Sequence, residues 1–310
     1  MPPTRRNFLR LLWLGLAADG SRRAAAATPA SPLPPMSDRF DGERFFNPGG
    51  GNPLGLRAFL RWQLNRQQGR WPEWVENTTT PKLPAALGAR ECAVTFVNHT
   101  SFLLQFAGLN VLTDPIWSDR TSPVSWAGPK RVRAPGLAFE ALPRIDLVLL
   151  SHNHYDHLDL PTLRRLHAAH LPLIVTTLGN RAFLAAEGID RVVELDWWQH
   201  HEVRPGVQVT VTPAQHFAAR GLTDRMTTLW GGFTLETTGG RIYFAGDSGY
   251  YGGFKTIGEK LGPFDLAFIP IGSYEPRWFM RPVHCNPAEA LQIHRDVRAR
   301  RSWAMHFGCF

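Results

Sequence analysis

His152, Asn153, His154, Tyr155, Asp156 and His157 are consecutive, so three imidazoles and a carboxylate fall within six residues. Such a group is costly to bury and unnecessary on a surface. Converging on cations it makes chemical sense, because imidazole nitrogen and carboxylate oxygen are donors that zinc takes at hydrolytic sites. One loop rarely completes a metal centre, and further candidates stand where strands should end. His216 follows the run Val207–Val211 through Thr212-Pro213-Ala214-Gln215. Asp247 lies in Phe244-Ala245-Gly246-Asp247-Ser248-Gly249, and His306 ends Trp303-Ala304-Met305. Taken singly, a histidine at a strand end is more often structural or solvated. Together with the loop residues these make seven ligands, enough for two metals sharing a carboxylate.

The elements that must deliver these side chains are legible as short apolar runs bounded by turns. Asp146–Leu150 is a continuous apolar run that stops at Ser151-His152, which suits a buried strand and puts the histidine-rich segment on a strand-to-helix loop. Ala93–Val97, Phe102–Phe106 and Val111–Leu112 form an expected meander. Pro161–Ala169 and Arg181–Glu187 are expected helices, with Leu173–Thr177 and Val192–Leu195 as strands. Val207–Val211, Phe233–Glu236, Ile242–Ala245 and Leu266–Ile269 are further strands. Pro287 opens a helix expected to reach about Arg300, with Asn286 as its N-cap. Strands first, then strands mixed with helices, imply two sheets with helices outside.

The 310 residues are 44% hydrophobic and 19% charged, which excludes a disordered or fibrous chain. Three cysteines (Cys92, Cys285 and Cys309) are too few for a disulfide scaffold. No apolar run approaches the roughly 18–20 residues that span a bilayer. Half of the net charge of +8 comes from residues 1–30, which hold Arg5, Arg6, Arg10, Arg22 and Arg23 against Asp19. The remainder is too mild to argue for nucleic acid, and no nucleic-acid partner is expected. Thr4-Arg5-Arg6-Asn7-Phe8-Leu9-Arg10, followed by the apolar stretch Leu11–Ala18, resembles a twin-arginine export signal. It implies a periplasmic or cell-envelope location; a cytoplasmic or peripheral-membrane one is the alternative. Residues 28–53 are rich in Pro, Gly and Ser and form an expected linker. Leu54–Gln67 has helical periodicity, with Leu56, Phe59, Leu60 and Leu64 on one side and Arg57 and Arg61 on another. Two placements are open for it: packed on the main domain, or lying as a basic amphipathic helix on a membrane surface.

The segments around the candidate ligands resemble the metallo-β-lactamase fold, and within it the N-acylphosphatidylethanolamine-hydrolysing phospholipase D family and its bacterial relatives. The resemblance is carried by Leu112-Thr113-Asp114-Pro115-Ile116, Gly128-Pro129-Lys130-Arg131, Leu150–Asp159, Pro213-Ala214-Gln215-His216, Phe244–Tyr250 and Tyr274-Glu275-Pro276-Arg277-Trp278-Phe279-Met280. Phe45-Phe46-Asn47-Pro48 extends it to roughly residues 40–310. It implies an α/β (α+β) fold, the four-layer αββα sandwich, and a division into a leader (1–30), a linker and N-terminal extension with one helix (31–90), and a hydrolase domain (91–310). Carried over by position, His152, His154 and His216 would hold one zinc ion and Asp156, His157 and His306 a second, with Asp247 bridging. The implied activity is phosphodiester hydrolysis, with an N-acylphosphatidylethanolamine-type phospholipid as substrate and phospholipase D regiochemistry. Two departures stand out. The chain ends four residues after His306, where relatives continue, so a C-terminal truncation is an expectation. Phe307-Gly308-Cys309-Phe310 replaces the usual Trp-Gly-Thr-Phe.

Other residues carry two readings each. Asp114 is either a carboxylate orienting a ligand histidine or part of an Asp-Pro turn. His99 is either near the metals or structural. His284 matches a family histidine beside the active site, where it would contact the leaving group or a phosphate oxygen. Arg277, Arg281 and Tyr274 are candidate substrate contacts, the arginines as phosphate clamps or as solvated surface. His167, His170, His200, His201 and His294 have no partner spacing. Rival functions are a lactonase or esterase of the ascorbate-6-phosphate lactonase type, and a non-catalytic envelope protein that keeps metals for stability. The oligomeric state is open, a dimer included.

Overall fold

The computed structural model describes residues 37–47, 53–67, 69–88, 90–106, 108–221 and 223–310. The leader expected over 1–30 and much of the linker lie outside them, and Asp38–Phe310 forms one unit. Among the described residues twelve strands run in chain order: β1 (Cys92–Asn98), β2 (Ser101–Phe106), β3 (Leu109–Thr113), β4 (Leu147–Leu150), β5 (Leu173–Thr177) and β6 (Val192–Leu195) make one sheet. β7 (His200–Arg204), β8 (Val207–Thr212), β9 (Gly232–Thr237), β10 (Gly240–Phe244), β11 (Leu266–Pro270) and β12 (Ser302–Met305) make the other. Among the described residues the helices are α1 (Leu56–Leu64), α2 (Leu160–His170), α3 (Asn180–Ala186), α4 (Gly253–Leu261), α5 (Arg277–Met280) and α6 (Pro287–Asp296).

Each sheet opens as an antiparallel meander and continues in parallel. β1 to β3 are antiparallel and β3 to β6 parallel. β7 to β10 are antiparallel, and β10 to β12 parallel. Parallel pairing needs a crossover, and the crossovers place the helices outside. β4 shows the consequence for sequence. Leu147 and Leu149 join the core between the sheets, while Val148 and Leu150 pack outward with Leu163 and Leu166 of α2 and Leu184 of α3. Both faces are buried, so the run is apolar throughout. The second sheet is covered outside by Phe254 and Ile257 of α4 and Ile293 of α6. The layers are therefore helix, sheet, sheet, helix, as expected.

The helix from Pro287 ends at Asp296, short of Arg300, because Arg298 turns to φ +59°. Its start is as expected: Asn286 Oδ1 accepts from Glu289 N at 2.8 Å and Glu289 Oε2 accepts from Asn286 N at 2.9 Å. α1 has no buried residue. It touches α5 through Trp62, whose ring stacks on Phe279 with centroids 5.2 Å apart. No helix among the described residues is long and apolar enough to cross a membrane.

Candidate metal centre

All seven candidate ligands come together at one edge of the paired sheets. The four on the loop after β4 are folded over by a tight turn, in which His157 N and Leu158 N both donate to His154 O, at 3.1 and 2.8 Å. His216 follows β8, Asp247 follows β10 and His306 follows β12. The ligand atoms form overlapping groups: His152, His154 and His216; His99, Asp156, His157 and His306; His152, His157 and Asp247; and His216, Asp247 and His284. In each group the atoms lie within 4.8 Å of one another.

Hydrogen bonds on the far side of the rings set which nitrogen faces inward. His157 Nδ1 lies 2.7 Å from Asp114 Oδ2, leaving Nε2 to face Asp247 Oδ2 at 3.3 Å and Asp156 Oδ2 at 3.6 Å. Asp114 also accepts from Ser151 N at 2.7 Å and Ser151 Oγ at 2.6 Å, the arrangement of a carboxylate held in place behind a histidine ring. His216 Nδ1 lies 2.9 Å from Val283 O, turning Nε2 toward His154 Nδ1 at 3.3 Å. His152 Nε2 is 2.9 Å from the same His154 nitrogen. Asp247 Oδ2 sits centrally, 3.0 Å from His306 Nε2, 3.7 Å from His216 Nε2 and 3.9 Å from His284 Nδ1. His99 Nε2 reaches Asp156 Oδ2 at 3.0 Å, so His99 belongs with the cluster as closely as the expected ligands.

The backbone is bent to achieve this. His99, Asp114 and His306 have φ of +46°, +32° and +63°, which is uncommon for residues bearing a Cβ. Gly246, with φ +60°, precedes Asp247, and a Cβ there would lie 2.5 Å from Gly231 O. Only glycine allows the chain to turn Asp247 inward at that spot.

Electrostatically the cluster splits in two. Burial, joined by neighbouring imidazoles, holds His152 and His216 well below the ordinary imidazole value. Burial likewise pushes His154 and His99 down to about 4, and His284 to about 3. These rings are neutral, the state in which imidazole binds a metal. Burial also opposes charge on His157 and His306, but Asp247 and Asp156 outweigh it. His306 rises to about 9 and His157 well above its usual value. Burial disfavours the Asp156 and Asp247 carboxylates too, yet surrounding histidines hold both well below the usual range. Buried Asp247 Oδ1, His157 Nε2 and both His306 ring nitrogens make no hydrogen bond of acceptable geometry. Buried nitrogens and a carboxylate oxygen grouped without hydrogen-bond partners are what a cation site requires, the cation displacing the imidazole protons when it binds. The residues present therefore fit divalent metal ions.

The remaining candidates fall elsewhere. Arg277 is neutralised by Glu289 Oε2 at 2.7 Å and donates to His284 O at 2.8 Å, so it braces the loop carrying His284 and is not a free phosphate clamp. Tyr274 contributes its carbonyl to Arg277 at 3.3 Å. Arg281 is largely exposed, 3.8 Å from Glu289. Cys92, Cys285 and Cys309 are free thiols, and none belongs to a ligand group. Two contributors escaped sequence reasoning. Asn47 is buried against His216, donating to its carbonyl at 2.7 Å and accepting from its N–H at 3.1 Å. Arg220, four residues after His216, donates from Nη1 to Asn153 O at 2.8 Å and Leu158 O at 2.9 Å, with its guanidinium 3.9 Å from the Tyr155 ring centroid. It clasps both ends of the histidine loop, and no spacing rule announces it.

Residues 109–307 match the model of the β-lactamase superfamily domain. Over 226 residues the chain is 43% identical to the N-acyl-phosphatidylethanolamine-hydrolyzing phospholipase D 1 of Caenorhabditis elegans, covering 70% of this chain and 64% of that protein. It is 36% identical over 315 residues to an uncharacterized protein of Mycobacterium tuberculosis, covering 96% of this chain and 82% of the relative. Among solved structures, an isothiocyanate hydrolase from Delia radicum gut bacteria superposes with a TM-score of 0.57 at 19% identity, over 70% of this chain and 85% of that one. The chain belongs to the β-lactamase superfamily, with the metallo-β-lactamase fold, and its His/Asp groups are of the kind that holds divalent metal ions.

Proposed function

We propose that this superfamily member holds two zinc ions and hydrolyses a phosphodiester, an N-acylphosphatidylethanolamine-type phospholipid, with phospholipase D regiochemistry. The observation that carries the reading is that Asp247 Oδ2 lies between the two groups, 3.0 Å from His306, 3.3 Å from His157 and 3.7 Å from His216. His152, His154 and His216 would hold one cation, and Asp156, His157 and His306 the other, with Asp247 between them. Two such cations supply a Lewis acid for the phosphoryl oxygen and a water acidified toward neutrality. Asp247 Oδ2, held among His157, His216 and His306, would fix the cation spacing. His284 is neutral and 3.9 Å from Asp247, so it would serve by donating a hydrogen bond to a phosphoryl or leaving-group oxygen. Asp114 and Val283 O orient His157 and His216 from behind. The phospholipid as substrate is supported by the likeness to the nematode enzyme.

The test is elemental analysis of the purified protein together with turnover of N-acylphosphatidylethanolamine and of bis(p-nitrophenyl) phosphate. About two zinc ions per chain with lipid turnover is the expected result. Turnover of the generic diester alone would refute the lipid substrate and keep the phosphodiesterase. Less than one metal per chain and no turnover would refute both.

A further inference from the structure

α1 is an amphipathic helix whose apolar side is exposed among the described residues. Leu56, Phe59, Leu60 and Leu64 follow the i, i+3, i+4, i+8 spacing of one helical face and are 70%, 41%, 50% and 78% exposed. The helix docks by its other side, where Trp62 stacks on Phe279 of α5. Single exposed leucines are ordinary, but four on one face of a short helix are not. Arg57 and Arg61 flank the stripe, and residues 44–72 contain no aspartate or glutamate. α5 extends the same surface: Trp278 is 45% exposed with the Arg61 guanidinium 5.0 Å from its ring centroid. α5 is tied to the metal centre, since His284 N donates to Met280 O at 2.8 Å and Arg277 binds the His284 carbonyl.

We propose that the exposed face of α1, continued by Trp278 of α5, docks on an anionic lipid surface and sets the metal centre beside it. An apolar stripe flanked by arginine and an interfacial tryptophan is the composition that lies in the headgroup boundary, with cations meeting lipid phosphates and carboxylates. A protein partner of the same shape would not require a flank free of acids. The inference deepens the phospholipid reading and rests on it for the choice of partner; the face itself does not depend on it.

The experiment is co-sedimentation of the full chain with vesicles of phosphatidylcholine alone and with about 30% phosphatidylserine. Binding should be stronger on the anionic vesicles and fall with salt. The double variant L60E/L64E should bind at least about tenfold more weakly. R57Q/R61Q should lose about tenfold on anionic vesicles only and show a shallower salt dependence. Melting temperature, metal content and bis(p-nitrophenyl) phosphate turnover should match the parent in both, because none of the four residues is buried or near the cluster. The proposal is overturned if the parent does not bind vesicles, or if L60E/L64E binds them as the parent does. It is also overturned if, without lipid, the parent is a dimer that L60E/L64E makes monomeric, which would give the face to a second copy of the chain. Vesicle binding without phospholipid turnover would refute the substrate reading and leave the docking face standing.

Discussion

Replacing Arg220 by alanine should loosen the histidine loop without touching a candidate ligand. The guanidinium makes two hydrogen bonds from a charged donor, to Asn153 O and Leu158 O, and stacks on Tyr155. Hydrogen bonds to charged groups are worth roughly 1.5–3 kcal/mol each and a partly desolvated cation–π contact roughly 1 kcal/mol. The side chain is only half-buried, so water can replace part of this. A net loss of about 3 kcal/mol is a fair figure, on the order of 100-fold in the equilibrium between closed and open loop. Asn153 and Leu158 bracket His154, Asp156 and His157, so the open loop would withdraw both groups of ligands at once. Metal release to a chelator, followed by a colorimetric indicator, should therefore accelerate by up to about 100-fold. Urea unfolding of the metal-loaded protein should report the same loss. Arg220→Lys should recover only part, since one ammonium cannot reach both carbonyls and stack as a planar group does. If Arg220→Ala released metal at the parent rate and kept its stability, the clasp would be ornamental and the reasoning wrong.

Three further outcomes are expected. Asp247→Asn should lower metal content and turnover together, because a neutral amide bridges two cations poorly; full metal with parental turnover would refute the dinuclear assignment. Gly246→Ala should cost about 2 kcal/mol or more of stability and lower metal affinity, from left-handed strain plus the contact with Gly231 O; circular dichroism melts and metal titration read both. In chelator-stripped protein, His306 holds its proton up to about pH 9 through Asp247 and Asp156, against about 6.5 when unfolded. Its folded value is raised, so its contribution is complete below about pH 6.5 and is lost as pH climbs through 9. The melting temperature of stripped protein should fall over that window, and a flat profile would mean that His306 does not face the carboxylates.

The sequence shows its local chemistry more openly than its assembled chemistry. The histidine loop is conspicuous because all of its donors lie within six residues, after a strand whose apolar run cannot be missed. His216, Asp247 and His306 are legible only through their positions at strand ends, which the parallel crossovers carry to one edge. His99 could not be placed by spacing, since it reaches Asp156 through a left-handed turn between β1 and β2. α4 is hidden by its own composition: its glycines lower helix propensity, and the packing of Phe254 and Ile257 on the second sheet supplies what propensity does not. β7 carries polar, partly exposed side chains and reads as loop until its partner β8 is known. Arg277 misleads in the other direction, for a basic residue beside a candidate phosphate site proves to be paired with Glu289 in the same structural unit.

The chain passes from one sheet to the other once along its length, at the short turn 196–199, where Gln199 N closes on Asp196 O. His152, His154, Asp156 and His157 precede that turn; His216, Asp247 and His306 follow it. In the proposed assignment each cation takes ligands from both portions, so a bound cation would be an added rivet between two sheets that already share one apolar core. Metal occupancy would then add to the cohesion of the sheets by mass action. A polypeptide nicked at 196–199 would stay united through that core, and a bound cation would raise the denaturant concentration needed to part the two fragments.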